Sequence, residues 1–317
     1  MNSSLWTWKD DSPPNWRRSD PGAPDVAQSR EKSMESAAPG SQGRLSVVST
    51  PIGNLGDITL RALEVLRSAD LVAAEDTRRA RKLLSHYGIS CRLEAYHAHN
   101  EHRKTAWILD RVQAGSRVAL LTDAGTPAIA DPGFLLVREA LARQIEPEIL
   151  PGPSALTFAV AICGFPVDRF AFYGFPPTKK GKRRTMLSQA AAEDMTVFFF
   201  EGPHRATKLL AEIQDVMGPR TRVAIIREAT KVHEEVIRGP VSQLLDEHAD
   251  RRWLGELVFA VDCRGIAGHR ADAAKSGVAG TTEKLHGNPA GARAVEFTEE
   301  DALPGAENEA PVADRDE

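Results

Sequence analysis

Four carboxylates in the first half of the chain, Asp57, Glu75, Asp76 and Asp123, each stand just beyond a short apolar run. A carboxylate at a strand end can hold a cationic or hydroxyl-bearing ligand, accept a proton, or cap the next helix. Those readings stay open for all four. Beside them lie three loops of small, kinked residues: Thr50 to Asp57, Asp123 to Pro127 and Pro151 to Ala155. Pro lacks a backbone donor and fixes φ, while Gly reaches backbone geometry that other residues resist. Small side chains there let a ligand approach backbone N–H and C=O groups directly. None of the three is a GxGxxG or a Walker-type GxxxxGKS/T sequence, so dinucleotide and triphosphate binding have no motif support.

The elements that must position these loops alternate between strand and helix. Leu45 to Val48 reads as a buried strand, and Leu60, Leu63 and Leu66 give the stripe of an amphipathic helix, with Asp57 and Thr59 as its expected caps. Leu71 to Ala74 is a second strand and Thr77 to Tyr87 a basic helix closed by Gly88. A helix over Glu101 to Gln113 precedes a strand over Arg117 to Thr122. Asp131-Pro132-Gly133 is expected to open the helix Phe134 to Arg143, with Pro in an N-terminal position. A short strand, Glu148 to Leu150, leads through Pro151–Ala155 into the apolar helix Ala155 to Ile162. Alternation of this kind implies a parallel sheet, whose C-terminal edge would gather all three loops.

Near Gly164-Phe165-Pro166 the pattern changes. Strands over Arg169 to Tyr173, Thr196 to Phe200, Arg222 to Ile226, Glu234 to Arg238 and Glu256 to Val261 alternate less regularly with helices, as in a mixed sheet. The expected organisation is residues 1–42 disordered, 43–163 and 164–265 as two α/β domains, and 266–317 as a disordered acidic tail. Trp6, Trp8 and Trp16 in the first segment form either a docking motif or isolated apolar residues.

Composition narrows the class. The chain has 317 residues, 42% hydrophobic and 26% charged, which suffices for two globular domains with tails. No apolar stretch approaches the roughly 18 residues of a membrane span, and the N-terminus lacks the apolar core of a secretory signal. Cys91, Cys163 and Cys263 are far apart, as in a reduced cytoplasmic protein without structural zinc. The net charge of -4 hides a split: residues 266–317 hold 11 acidic and 5 basic side chains, leaving a mildly basic body. The densest basic run, Lys179, Lys180, Lys182, Arg183 and Arg184, suits phosphate contacts without sequence preference, or else a solvated face. Tyr96, His97, His99 and His102 are either base-stacking groups or surface polar residues.

Seven segments resemble the tetrapyrrole methylase superfamily, and more narrowly its branch that acts on ribosomal RNA. They are Ser-Thr-Pro-Ile-Gly-Asn-Leu-Gly-Asp-Ile-Thr (49–59), Ala-Glu-Asp-Thr-Arg (74–78), Thr-Asp-Ala-Gly-Thr-Pro (122–127), Asp-Pro-Gly (131–133), Pro-Gly-Pro-Ser-Ala (151–155), Phe-Glu-Gly-Pro-His-Arg (200–205) and Arg-Glu-Ala-Thr-Lys (227–231). They run in family order over residues 44–263. The resemblance implies a two-domain tetrapyrrole-methylase-like fold (class III methyltransferase, α/β), with a parallel-sheet N-terminal domain and a mixed-sheet C-terminal one. It implies S-adenosylmethionine in the cleft between them, a homodimer, and 2′-O-methylation of a cytidine in the decoding centre of 16S rRNA within the 30S subunit. Carried over by motif, the cofactor contacts are Pro51, Asp123, Gly125, Thr126, Ile129, Ser154 and Ala155, with Phe200 and Glu201 from the second domain.

For the chemistry itself, Glu75 or Asp76 is the candidate base, and Lys231 a cation that lowers the hydroxyl's pKa. Glu75 and Arg78 as a structural ion pair is the plain alternative. Asn54, Arg78, Lys179, Lys180, Lys182, Arg183 and Arg205 are the candidate RNA contacts. Two departures from the family pattern stand out: Ala229 replaces the usual Leu, and an Ala/Gly/Glu tail replaces the small C-terminal helical domain. Two other functions compete: a small-molecule porphyrinoid methylase of the same superfamily, and a non-catalytic RNA-binding assembly factor. Intact strand-end loops weigh against the second.

Overall fold

The computed structural model describes residues 43–266, so the expectations for residues 1–42, for Trp6, Trp8 and Trp16, and for the tail beyond Ile266 lie outside it. The first half runs β1 (Arg44–Val48), α1 (Leu60–Ser68), β2 (Leu71–Ala74), α2 (Thr77–His86), β3 (Leu93–Ala95), α3 (Glu101–Gln113), β4 (Arg117–Leu121), α4 (Phe134–Ala142) and β5 (Glu148–Leu150). Its five strands are all parallel, in the order β3-β2-β4-β1-β5. Alternate residues of each strand face opposite ways, and each face has its own core. Val48, Val72, Ala74, Ala119 and Leu121 pack under α1 and α2. Leu45, Val47, Leu71, Ala73, Val118 and Leu120 pack under α3 and α4.

That division of helices creates the site. From β1 the chain turns to α1 on one face, and from the adjacent β4 it turns to α4 on the other. Where neighbouring strands send their connections to opposite faces, a crevice opens beyond their C-terminal ends. Thr50 to Asp57 and the loop from Asp123 border this crevice.

The second half contains α5 (Ala155–Ile162), β6 (Phe170–Phe172), α6 (Lys180–Ala192), β7 (Thr196–Glu201), α7 (Ala206–Met217), β8 (Arg222–Arg227), β9 (Glu235–Pro240), α8 (Val241–Glu247) and β10 (Leu257–Asp262). Its sheet, ordered β6-β7-β10-β8-β9, is antiparallel except where β6 joins β7. Phe199, Val223, Ile225, Phe259 and Val261 pack under α6, α7 and α8. The other face, Phe198, Ala224, Ile226, Val258 and Ala260, packs against Ala159 and Cys163. The helix that follows β5 is therefore seated on the second sheet, and Pro151–Ser154 carries the chain from one sheet to the other.

Several local expectations are corrected. Thr59 alone caps α1, accepting from the Ala62 N–H at 3.1 Å, while Asp57 ends a short 3-10 turn that Asn54 caps. Gly133 is the N-cap of α4, so Pro132, expected in an N-terminal position of the helix, lies just outside it. β3 is an additional strand, half-buried at the sheet edge, where Glu94 pairs with Lys104 at 2.6 Å. The basic run opens α6: Lys179 is its N-cap and the residues from Lys180 form its first turns.

Candidate active site

The loop after β1 and the loop after β4 are bonded to each other. Thr50 and Gly125 exchange backbone hydrogen bonds of 2.8 and 3.0 Å. The Ser49 hydroxyl lies 3.0 Å from that of Thr126, which donates to the Pro153 carbonyl at 3.3 Å. All three small-residue loops thus form one laced edge. Gly125 holds φ at 84°, a left-handed geometry that glycine adopts without a Cβ penalty. Gly53 is required by proximity: a Cβ there would strike the Lys231 side chain and come within 3.0 Å of the Ala229 carbonyl. The first loop therefore rests against the loop following β8.

Between the two sheets lies a cavity of about 310 Å³. Of the residues expected to hold a cofactor, Asp123, Gly125, Thr126, Ile129, Ser154, Ala155, Phe200 and Glu201 line it, and Pro51 does not. Of the candidate catalytic groups only Glu75 lines it. Asn54, Arg78, Lys179, Lys180, Lys182, Arg183 and Arg205 all lie outside its walls.

Electrostatics sorts the candidate bases. Asp76 is the N-cap of α2, and hydrogen bonds from the Arg78 side chain and the Arg78 N–H hold its pKa down at about 2. Such a carboxylate is a very weak base at neutral pH, so Asp76 is withdrawn from that role. Arg78 pairs with Asp76, at 2.8 Å, rather than with Glu75. Lys231 donates to Glu228 at 2.8 Å and to Glu256 at 3.0 Å. Burial works against its charge, but these bonds outweigh burial and hold its pKa above the ordinary value, so it stays an ammonium. Glu75 is pushed up by burial and by the charge of Asp123.

Arg183 is corrected too. It is 2% exposed and paired with the equally buried Glu212, with an Nη2 to Oε1 distance of 2.7 Å. A guanidinium in that position cannot meet a phosphate. Arg205 pairs with Glu201 at 2.7 Å, which leaves Lys179, Lys180 and Lys182 as the exposed cations of the run.

One cavity residue was not anticipated as chemistry. Asp131, placed in the sequence at a helix start within the Asp-Pro-Gly segment and given no chemical role, lines the cavity on a loop where Ala128 and Ala130 hold φ at 70° and 63°. Left-handed backbone at non-glycine residues costs about 1–3 kcal/mol each and concentrates at functional sites. Burial first, then the charges of Glu75, Asp123 and Glu256, lift its pKa to about 7, the Thr122 hydroxyl partly offsetting them. Among the described residues no Lys or Arg forms an ion pair with Asp131, whereas Asp123 has Arg79 at 3.4 Å. A carboxylate that ionises near pH 7 is suited to proton transfer.

Two stacked α/β halves with strand-end loops round one cavity define a class of methylases. The sequence profile of the Tetrapyrrole (Corrin/Porphyrin) Methylases matches residues 44–245, and the chain belongs to that family. Its relatives include ribosomal RNA small subunit methyltransferase I of Escherichia coli O157:H7, 45% identical over 74% of this chain and 81% of that one. The Thermotoga maritima protein of the same name is also 45% identical, over 69% of this chain and 98% of that one. The chain thus falls in the ribosomal RNA small subunit methyltransferase I branch of the family. Among solved structures, uroporphyrin-III C-methyl transferase from Thermus thermophilus, complexed with S-adenosyl homocysteine, shares the fold. Its TM-score is 0.51 at 17% identity, over 72% of this chain and 100% of that one.

Proposed function

We propose that this protein transfers a methyl group from S-adenosylmethionine to the ribose 2′-oxygen of a cytidine in 16S rRNA, acting on the 30S subunit. The observation that carries the reading is a cavity between the two sheets, bordered by the three small-residue loops and lined by the carboxylate of Asp131, which among the described residues has no ion-pair partner. The names of the relatives supply the RNA, and the intact loops argue for catalysis over a purely structural role. The cytoplasmic location and the homodimer implied by the family belong to the same reading.

The cavity suits S-adenosylmethionine. Thr126, Ser154 and Ala155 offer backbone groups at close range, Gly125, its own N–H and C=O tied to Thr50, leaves its wall free of a side chain, and Ile129, Phe200, Leu257 and Val258 supply apolar walls for an aromatic base. Glu201 is almost fully buried, and its Oε2 has no partner within the protein, leaving an acceptor for a ligand hydroxyl or amine. When bound, the cofactor supplies an electrophilic methyl group. The protein's own residues must then align the hydroxyl and take its proton, because a ribose hydroxyl is a poor nucleophile. Asp131 is the proposed acceptor. Burial first, and then the charges of Glu75, Asp123 and Glu256, keep its carboxylate basic, since a buried carboxylate among others resists ionisation. Lys231 does not line the cavity; held between Glu228 and Glu256, it braces the loop against Gly53.

A direct test offers the purified protein labelled S-adenosylmethionine and either undermethylated 30S particles or a precorrin. Label in the RNA alone supports the proposal; label in the precorrin alone selects the porphyrinoid reading. A second expectation concerns docking. Changing Lys179, Lys180 and Lys182 together to Gln removes up to three phosphate contacts. The log–log salt dependence of particle binding should flatten by about 2 to 3 units. Affinity for S-adenosylhomocysteine should not change. An unaltered slope would assign the run to solvent.

A further inference from the structure

Phe175 is a large apolar side chain that is 56% exposed, at the rim of the cavity. It sits on the connection between β6 and α6, which is fixed from several sides. The Gly174 carbonyl accepts from the Phe200 N–H at 2.9 Å. Pro176 is buried. The guanidinium of buried Arg183 donates to the Pro177 and Thr178 carbonyls, each at 2.8 Å, while its other side grips Glu212. The ring of Phe175 meets Phe200 edge-on at 5.6 Å, and Phe200 meets Phe172 at 4.8 Å. A row of aromatic rings thus leads from the second sheet to the rim and ends in a ring held in water. A few residues on, Lys179, Lys180 and Lys182 stand exposed on the first turn of α6.

We propose that Phe175 is the stacking platform for an unpaired RNA base at the cavity mouth, with Lys179, Lys180 and Lys182 taking the neighbouring phosphates. The inference rests on the methyl-transfer reading and specifies how that site takes its substrate. A nucleotide must leave its stack before an enclosed site can act on it, and an aromatic face replaces the stacking it loses. Stacking on one ring tolerates any base, and the lysine charges do likewise, so the pair holds a strand without reading it. The exposed rim position assigns the ring to the outer ligand. Phe200, deeper in the wall, faces the cofactor's share of the cavity.

The test is Phe175→Ala, measured with 30S particles and S-adenosylmethionine. KM for the particles should rise about 5- to 100-fold, the range found when a stacking aromatic is removed. The Kd for S-adenosylhomocysteine and the melting temperature should stay at their wild-type values. Phe175→Tyr and Phe175→Trp should restore KM, and Phe175→Leu, apolar but without a π face, should not. A rise in the S-adenosylhomocysteine Kd with particle KM unchanged would move the ring to the cofactor and overturn the proposal. Full restoration by Leu would overturn it as well. Quenching of 2-aminopurine in a single-stranded RNA oligonucleotide reads the stacking without methyl transfer. It should occur with the wild type and vanish in Phe175→Ala. If wild type transfers no methyl group to RNA yet quenches, the methyl-transfer reading fails alone. If wild type does not quench, the platform fails.

Discussion

Asp131→Asn is expected to lower methyl transfer about 10²- to 10⁴-fold, the usual contribution of a positioned general base. Cofactor binding should survive, because the laced loops that would hold it are untouched. The wild-type rate should climb as pH rises through about 7, where the Asp131 carboxylate loses its proton. In the asparagine variant the residual rate should lack that step. Stability should move the opposite way. The folded pKa lies above the ordinary 3.8, so the folded protein holds a proton that the unfolded chain releases between those values. Folding stability contributed by this group is therefore full below about pH 4 and declines as pH rises towards 7. Asp131→Asn should melt higher than wild type at pH 8, and the two should converge near pH 4. A pH–rate profile and paired melting curves check both statements. An unchanged rate in the variant would remove Asp131 from the chemistry.

Arg183→Met is expected to destabilise the fold by about 3–5 kcal/mol, because it leaves Glu212 charged and buried without its partner. Against a total stability of about 5–15 kcal/mol for a typical domain, that loss is large. Both side chains are nearly inaccessible, at 3% and 5% of their side-chain surface. Replacing both, Arg183→Met with Glu212→Met, should recover most of the loss, since a well-packed apolar pair often matches a buried ion pair. Denaturant titration of the two single variants and the double variant gives the coupling directly. A surface arginine that touched RNA would behave otherwise: stability would hold and the salt dependence of RNA binding would change.

Much of the scaffold was legible because its causes are local. Apolar runs such as Leu71 to Ala74 and Thr196 to Phe200 are short and uninterrupted, the second rich in aromatic residues, and polar residues bound them. Gly88, Gly115 and Gly218 stop helices as glycine does. The three loops could be gathered on one edge because parallel strands share a C-terminal side. β3 escaped notice because three half-buried residues around Glu94 carry no apolar period, and their pairing with β2 comes from the partner strand.

The site was legible only in part, and the missing part is non-local. Asp131 looks like any acid before a proline. Its elevated pKa comes first from burial between the two sheets and then from the charges of Asp123, nearby in the chain, and of Glu75 and Glu256, which the fold brings in from farther away. One signal is available: an acid among small residues in the long loop between β4 and α4, inside the Asp-Pro-Gly segment. Arg183 is the converse case. Its neighbours Lys180, Lys182 and Arg184 share its charge, yet only its place on the inner face of α6, opposite Glu212 on α7, decides that it is buried. Charge can be counted along a chain, but the face it takes depends on the partner helix. Asp76 and Arg78 are a third case: of the readings open for a carboxylate at a strand end, the helix cap holds and the base does not.

The central claim is tested most directly by a ribose-methylation map of 16S rRNA, taken by mass spectrometry from cells lacking this protein and from the same cells with it restored. The account predicts that one 2′-O-methylcytidine in the decoding centre disappears and returns, and that Asp131→Asn fails to restore it. A map unchanged by the deletion would contradict the account.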